Sequence, residues 1–247
     1  MRGRTVLVTG ASSGIGAHAA RLMAGAGAAV ALAARRLDHV EALARELRDN
    51  GHAALAIRMD VTCPEEVTHA FTSIRHQLGA DPDVLINNAG ILVAESFLKQ
   101  GLDSFENVID TNLKGAFHVA QEAARRMVEG GRGSIVQVAS TAGLRIGGQM
   151  GSYAASKAAL IQLSGVMALE LASKGVRVNS LCPGNIETQM QDALSGFSDA
   201  LVRRTPLRRF GKVEELDGAF LLLCSEAGRY MTGSVVTVDG GQTLSWM

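Results

Sequence analysis

The sequence predicts one α/β domain built on a doubly wound parallel sheet of seven strands with helices on both faces. Short apolar, β-branched runs alternate with longer helical patterns from Thr5 to Val238, as parallel strands joined by crossover helices require. Gly, Asn and Ser residues punctuate the strand ends, where right-handed crossovers bring all the following loops along one crevice. With 247 residues, of which 47% are apolar, the chain can bury one large core.

Thr5–Thr9 is the first buried strand. It runs into Gly10-Ala11-Ser12-Ser13-Gly14-Ile15-Gly16 and then an Ala-rich helix to about Gly25. A glycine-rich turn between a strand and a helix N-terminus lets backbone amides, with Ser12 and Ser13 beside them, close on a pyrophosphate. The spacing is G-x-x-x-G-x-G, and no Lys-Ser/Thr follows it, so a P-loop nucleotidase is not expected. Ala29–Ala33 is the second strand, ending in Ala34-Arg35-Arg36. An acid at this tip would bond both ribose hydroxyls of an adenosine and repel a 2′-phosphate, whereas arginine attracts it. Arg35 and Arg36 therefore point to NADP(H) over NAD(H); the alternative is that both are surface charges opening the next helix.

Leu37–Asn50 has helical periodicity, and Ala53–Met59 makes a third strand, followed by Asp60-Val61. Pro64 opens a helix to about Leu78, with Thr62 the expected cap. Asp83–Asn87 is the fourth strand and ends in Asn88-Ala89-Gly90. Phe105–Val128 reads as one long helix with Asn112 in its middle, a mediocre interior residue because its amide competes for backbone hydrogen bonds. Ser134–Ser140 is the fifth strand and closes on a hydroxyl; Val176–Leu181 is the sixth, closed by Cys182-Pro183-Gly184. Residues 185–210 are the least regular stretch and are expected to form a mobile flap over substrate. Val213–Cys224 is the last helix and Ser234–Val238 the seventh strand.

The helix Tyr153–Leu171 opens with Tyr153-Ala154-Ala155-Ser156-Lys157. Residues four apart stack on one helix face. A phenol holds its proton to a pKa of about 10, and a nearby ammonium would favour the phenolate and make it a working general acid or base. Such pairs are abundant, so on its own this one reads first as a packed tyrosine beside a solvated lysine, and it is the rest of the chain that overturns that reading.

Composition narrows the function classes. Lys+Arg and Asp+Glu both total 24, giving zero formal charge, which argues against broad binding to nucleic acid or an anionic membrane. Met1-Arg2-Gly3-Arg4 leads straight into a strand, with no signal-peptide pattern, and no run of 18 apolar residues is expected to span a bilayer. Cys63, Cys182 and Cys224 form no Cys-x-x-Cys pair, consistent with reduced thiols in a cytosol, and the six His show no ligand spacing, so no metal site is expected.

Taken in order, Thr9-Gly10-x-x-x-Gly14-x-Gly16, Asn87-Asn88-Ala89-Gly90, Asn112, Ser140, Tyr153-x-x-x-Lys157 and Pro183-Gly184-x-x-x-Thr188 resemble the short-chain dehydrogenase/reductase family over essentially the whole chain. The resemblance implies a Rossmann-type fold spanning residues 1–247 as one domain. It also implies roles. Tyr153 would be the proton donor or acceptor, Lys157 would lower its pKa and hold the nicotinamide ribose, and Ser140 would bond the substrate oxygen. Asn112 would hold a water linking Lys157 to solvent. Asp60 and Val61 would contact adenine, Asn88, Ala89 and Gly90 the cofactor ribose, and Pro183, Gly184, Ile186 and Thr188 the nicotinamide.

The expected activity is NADPH-dependent reduction of a small carbonyl substrate to an alcohol. The motifs are similar to those of 3-oxoacyl-carrier-protein reductases, but sugar and alcohol dehydrogenases working in the oxidative direction share them. A non-catalytic dinucleotide sensor is the remote alternative. An acidic carrier protein would want a basic patch, which Arg203, Arg204, Arg208 and Arg209 could supply. Family members are commonly homotetramers, and the apolar long helices here, with Leu244, Trp246 and Met247, are expected at subunit contacts. The loop Ala94–Gly101 and the flap are expected to set the substrate by shape.

Overall fold

The computed structural model describes residues 1–244, apart from the side chains of residues 191, 192, 194 and 195. Seven strands, β1 (Thr5–Thr9), β2 (Ala29–Ala34), β3 (Ala54–Arg58), β4 (Val84–Asn87), β5 (Gly133–Val138), β6 (Val176–Pro183) and β7 (Val235–Val238), form one sheet. Their order is β3-β2-β1-β4-β5-β6-β7, and every pairing is parallel. The chain winds outward from β1 through β2 to β3, then returns to β4 on the other side of β1. That reversal opens the crevice between the carboxyl ends of β1 and β4 in which such sheets bind ligands.

Successive side chains of a strand point to opposite faces, so each strand feeds two cores. Val6, Val8, Val30, Leu32 and Ile86 pack against α1 (Gly14–Gly25), α2 (Leu37–Asp49) and later helical residues such as Phe220. Leu7, Ala31, Ala33, Leu85 and Ile135 pack against α3 (Pro64–Leu78) and residues from Val119 to Met127. Both faces of the central strands are covered, which is why β1, β2 and β4 read as apolar runs and not as an alternation.

Several elements depart from the sequence expectation. The cap of α3 is Cys63, not Thr62, whose hydroxyl instead donates to Asp60 Oδ1 at 2.8 Å. The long helix expected over Phe105–Val128 begins at Leu102 and is split into α4 (Leu102–Ile109), a π-helical turn Asp110–Gly115, and α5 (Ala116–Glu129). A single widened turn leaves the apolar stripe on both sides intact, so periodicity cannot reveal it. The central helix α6 runs Gly151–Leu171, two residues earlier than expected. The stretch expected to be irregular holds α7 (Ser198–Arg204), and the last helix is a 3-10 turn, Val213–Leu216, leading into α8 (Asp217–Cys224).

One helical stretch, Gly151–Lys174, is by length and composition apolar enough to cross a membrane, although it contains no unbroken run of 18 apolar residues. Its residues Tyr153, Lys157, Leu160 and Ala168 are buried in the body of the domain, making it a core helix. Leu244 is 76% exposed, and Trp246 and Met247 lie outside the described residues.

Candidate active site

The glycine-rich turn is shaped by close approach. Gly10 has φ +65°, and a Cβ there would come within 2.9 Å of the Ala89 Cα. Gly14 has φ +54°, again a conformation that glycine adopts without strain. A Cβ on Gly16 would overlap the Gly10 carbonyl, so Gly16 is what lets α1 sit directly on the turn. Thr9, whose side chain the sequence reading gave no role, staples the ends of β1 and β4. Its hydroxyl donates to Asn87 Oδ1 at 3.1 Å and accepts the Asn88 and Ala89 amides at 2.9 and 3.0 Å. Asn88 Nδ2 returns a bond to the Thr9 carbonyl at 3.1 Å. The N-terminus of α1 has no side-chain cap and no acid in its first turn, leaving its positive end open to the crevice.

A cavity of about 320 Å³ lies over this turn. Gly10, Ser12, Ser13, Gly14 and Ile15 form one wall, Arg35, Arg36, Asp60 and Val61 another, and Asn88, Ala89, Gly90 and Thr188 a third. The Arg36 guanidinium donates to Ser12 Oγ at 2.9 Å and Ser13 Oγ at 3.0 Å, so arginine and hydroxyls form one cluster at the tip of β2. Burial pushes the Asp60 carboxyl up, but hydrogen bonds from Thr62 and the charges of Arg35 and Arg58 outweigh it and hold it below its ordinary value.

The crevice continues into a second cavity of about 440 Å³. Ile15, Asn88, Gly90 and Thr188 line both cavities, so the two are one cleft. Ser140, Tyr153, Lys157, Pro183, Gly184 and Ile186 line the second. Ser140 follows β5 and accepts the Ala142 amide at 3.1 Å, which fixes the turn Thr141–Gly143 against α6. Lys157 donates to the Val138 carbonyl at 2.8 Å, and its ammonium sits 5.8 Å from the centre of the Tyr153 ring.

Burial governs the electrostatics here. It raises the Tyr153 phenol above its ordinary value; a hydrogen bond with Ser140 opposes the rise and Cys182 adds to it. Burial lowers Lys157 to about 8 and raises Cys182 to about 11. The expected depression of the phenol by Lys157 is thus corrected. Desolvation of the phenolate dominates, and Tyr153 is held as the neutral, proton-bearing form near neutral pH.

Asn112, fully buried in the π-helical turn, lines neither cavity. Its amide accepts from Ile91 N at 2.8 Å and donates to Ile91 O at 2.9 Å and Ser156 Oγ at 3.2 Å. It bonds the loop after β4 to α6 and makes no direct bond to Lys157. Gly90 is what lets the two groups approach: a Cβ there would stand 3.2 Å from Asn112 Oδ1 and 3.5 Å from Lys157 Nζ.

On the far side, Gly184 packs against the turn after β7, where a Cβ would lie 2.7 Å from the Asp239 Cα. Of the four arginines that could form a basic patch, Arg204 alone lines the cavity. Arg209 pairs with Glu215 at 2.6 Å, and Arg208 donates to the Arg203 carbonyl. Sequence reasoning missed Arg145, Ile146, Met150 and Thr243, which also line the second cavity, as does Leu201 from the segment expected to be the flap. They come from three separate segments, and no local spacing marks them.

A family model described as "Enoyl-(Acyl carrier protein) reductase" matches residues 10–243. The 3-oxoacyl-[acyl-carrier-protein] reductase FabG of Aquifex aeolicus is 37% identical over 245 residues, 98% of each chain. Its counterpart from Staphylococcus epidermidis is 35% identical over 243 residues, 98% of this chain and 99% of that one. Among solved structures, a short-chain type dehydrogenase/reductase from Mycobacterium marinum superposes with a TM-score of 0.94 at 42% identity, covering 98% of this chain and 96% of that one. A gluconate 5-dehydrogenase from Burkholderia cenocepacia, in complex with NADP and tartrate, gives a TM-score of 0.95 at 37% identity over 99% and 97%. Sheet order, cleft and relatives agree: the chain is an oxidoreductase belonging to the short-chain dehydrogenase/reductase family.

Proposed function

We propose that the protein reduces a ketone to an alcohol with NADPH, with Tyr153 as general acid. The observation that carries this reading is the continuity of the cleft. The cradle at the glycine-rich turn and the Ser140–Tyr153–Lys157 group open into one space. The cradle fits the cofactor, because the close contacts at Gly10 and Gly16 leave backbone and helix N-terminus exposed to a pyrophosphate. Arg35 and Arg36, with Ser12 and Ser13, suit a 2′-phosphate, and no acid stands at the tip of β2 to repel it. Asp60 and Val61 would take the adenine, Asn88–Gly90 and Lys157 the ribose, and Pro183–Thr188 the nicotinamide.

When bound, the reduced cofactor supplies hydride to the carbonyl carbon. Ser140 donates a hydrogen bond to the substrate oxygen as it gathers negative charge. Tyr153, held neutral by burial, gives that oxygen its proton. The buried Lys157 ammonium then stabilises the phenolate left behind, in a setting where solvent screens the pair weakly. Asn112 acts as a positioning residue, fixing the Ile91 loop against α6. The segment 185–210 serves as the substrate flap, and the 3-oxoacyl reductases and gluconate dehydrogenase among the relatives make both reductive and oxidative working directions candidates.

The same reading includes a homotetramer. Leu169 is 83% exposed, Tyr230 101%, Phe97 89% and Leu98 93%, apolar area that a single copy leaves uncovered. Light scattering after size exclusion should give four chains; a clean monomer would contradict it. For the activity, NADPH and NADH oxidation are compared over a panel of ketones. NADPH oxidation at the lower KM is expected. An NADH preference would remove the 2′-phosphate assignment, and inertness toward every ketone and alcohol with either cofactor would remove the activity.

A further inference from the structure

The second cavity carries positive charge and no balancing acid. Arg145, Lys157 and Arg204 line it, and no Asp or Glu does among the described residues. Lys157 is engaged with Val138 and belongs to the proton-transfer group. The two arginines are not used by that chemistry.

Arg145 is held in place. Its Nε donates to the Thr243 carbonyl at 3.0 Å. Thr243 is itself fixed, because its amide and that of Gly241 donate to the two oxygens of Asp239 at 2.7 and 2.9 Å. The nearby carboxylate is therefore spent on folding the turn that orients Arg145 and does not neutralise it. A guanidinium has five donors; here Nε is satisfied, Nη1 reaches only the Leu144 carbonyl at 3.5 Å, and Nη2 has no protein partner among the described residues. Arg204 closes α7 and makes no ion pair or side-chain hydrogen bond among the described residues, although its neighbour Arg209 is paired with Glu215. A cation ending a helix is ordinary. Two solvent-exposed guanidiniums with free donors lining one cavity, with no acid in its wall, go beyond that.

We infer that the substrate is a small oxo acid, its carboxylate held by Arg145 and Arg204 while its ketone oxygen faces Ser140 and Tyr153. This deepens the proposed function and rests on it. A cavity of about 440 Å³ lined by both groups is the size for one small molecule to touch both. Ile146, Met150 and Leu201 provide apolar wall for the short carbon chain between the two ends. An acidic carrier protein would instead meet the outer arginines, and Arg208 and Arg209 are already engaged.

The test is the ratio of kcat/KM for an acid to that for its methyl ester, with pyruvate, acetoacetate and levulinate each paired with its ester and NADPH saturating. For at least one pair the acid should be favoured by roughly 10- to 100-fold, the scale of one charge-assisted hydrogen bond. Arg145→Gln and Arg204→Gln should each collapse that ratio through the KM of the acid, and Arg145→Lys should restore part of it. Arg203→Gln, off the cavity wall, should leave it in place. Esters turned over as well as their acids, or a ratio that survives both Gln variants, would overturn the inference while leaving the oxidoreductase reading intact. A carrier-bound oxoacyl thioester preferred over every free acid would overturn it in favour of a carrier. Failure of all pairs, together with failure of the ketone panel, would sink both readings.

Discussion

Lys157→Met should stabilise the unliganded protein while removing its activity. The lysine is 4% exposed, and burial lowers its pKa from 10.5 to about 8. Between those values the unfolded chain binds a proton that the folded chain gives up, so stability rises with pH across that window. Below about pH 8 both states are protonated and the folded state bears the full cost of the buried charge, about 3 kcal/mol at pH 7 by the linkage relation. At about pH 9.5 the same relation leaves about 1.5 kcal/mol. Methionine fills a similar unbranched volume without the charge, and losing the bond to the Val138 carbonyl offsets about 1.5 kcal/mol at either pH. The variant should therefore be more stable by about 2 kcal/mol near pH 7, a rise in Tm of about 4–8 °C, and nearly equal to the parent near pH 9.5. Urea unfolding at the two pH values and one protein concentration measures this directly. A variant no more stable at neutral pH, or an advantage that stays flat or grows with pH, would refute the claim that this ammonium is held against its desolvation.

Gly16→Ala places a methyl against the Gly10 carbonyl, so the turn must shift; NADPH affinity should fall and stability drop by about 1–3 kcal/mol, the usual cost of overpacking, as read by fluorescence titration and urea melts. Unchanged affinity would show that the turn is not the phosphate cradle. Arg35→Asp, on the wall of the first cavity that Asp60 also lines, should reverse the cofactor preference. A parent-like ratio of kcat/KM for NADPH and NADH in that variant would remove Arg35 from phosphate recognition.

The sheet was legible in the sequence because its central strands are buried on both faces and therefore read as apolar blocks, bounded by glycine, asparagine or a hydroxyl. Every strand and the central helix lie within two residues of the positions that pattern gives. What the pattern could not carry is anything set by three-dimensional neighbours. The π-helical turn at Asp110–Gly115 leaves the apolar stripe of α4 and α5 undisturbed. Spacing placed Lys157 one turn from Tyr153 and suggested a lowered phenol, but burial, which spacing does not report, decides the direction. The four arginines after Leu201 read as one patch, yet only Arg204 faces the cleft. Arg145 drew no notice at all, because what gives it a place is the carbonyl of Thr243, nearly a hundred residues away.

The most direct test of the central claim is NADPH oxidation by the Tyr153→Phe variant beside the parent, with cofactor binding checked in both by fluorescence. Loss of the one hydroxyl should cut turnover by at least about 100-fold, the lower scale of general acid catalysis, with NADPH still bound. Turnover near that of the parent would mean that the proton comes from elsewhere and that the buried phenol is only packing.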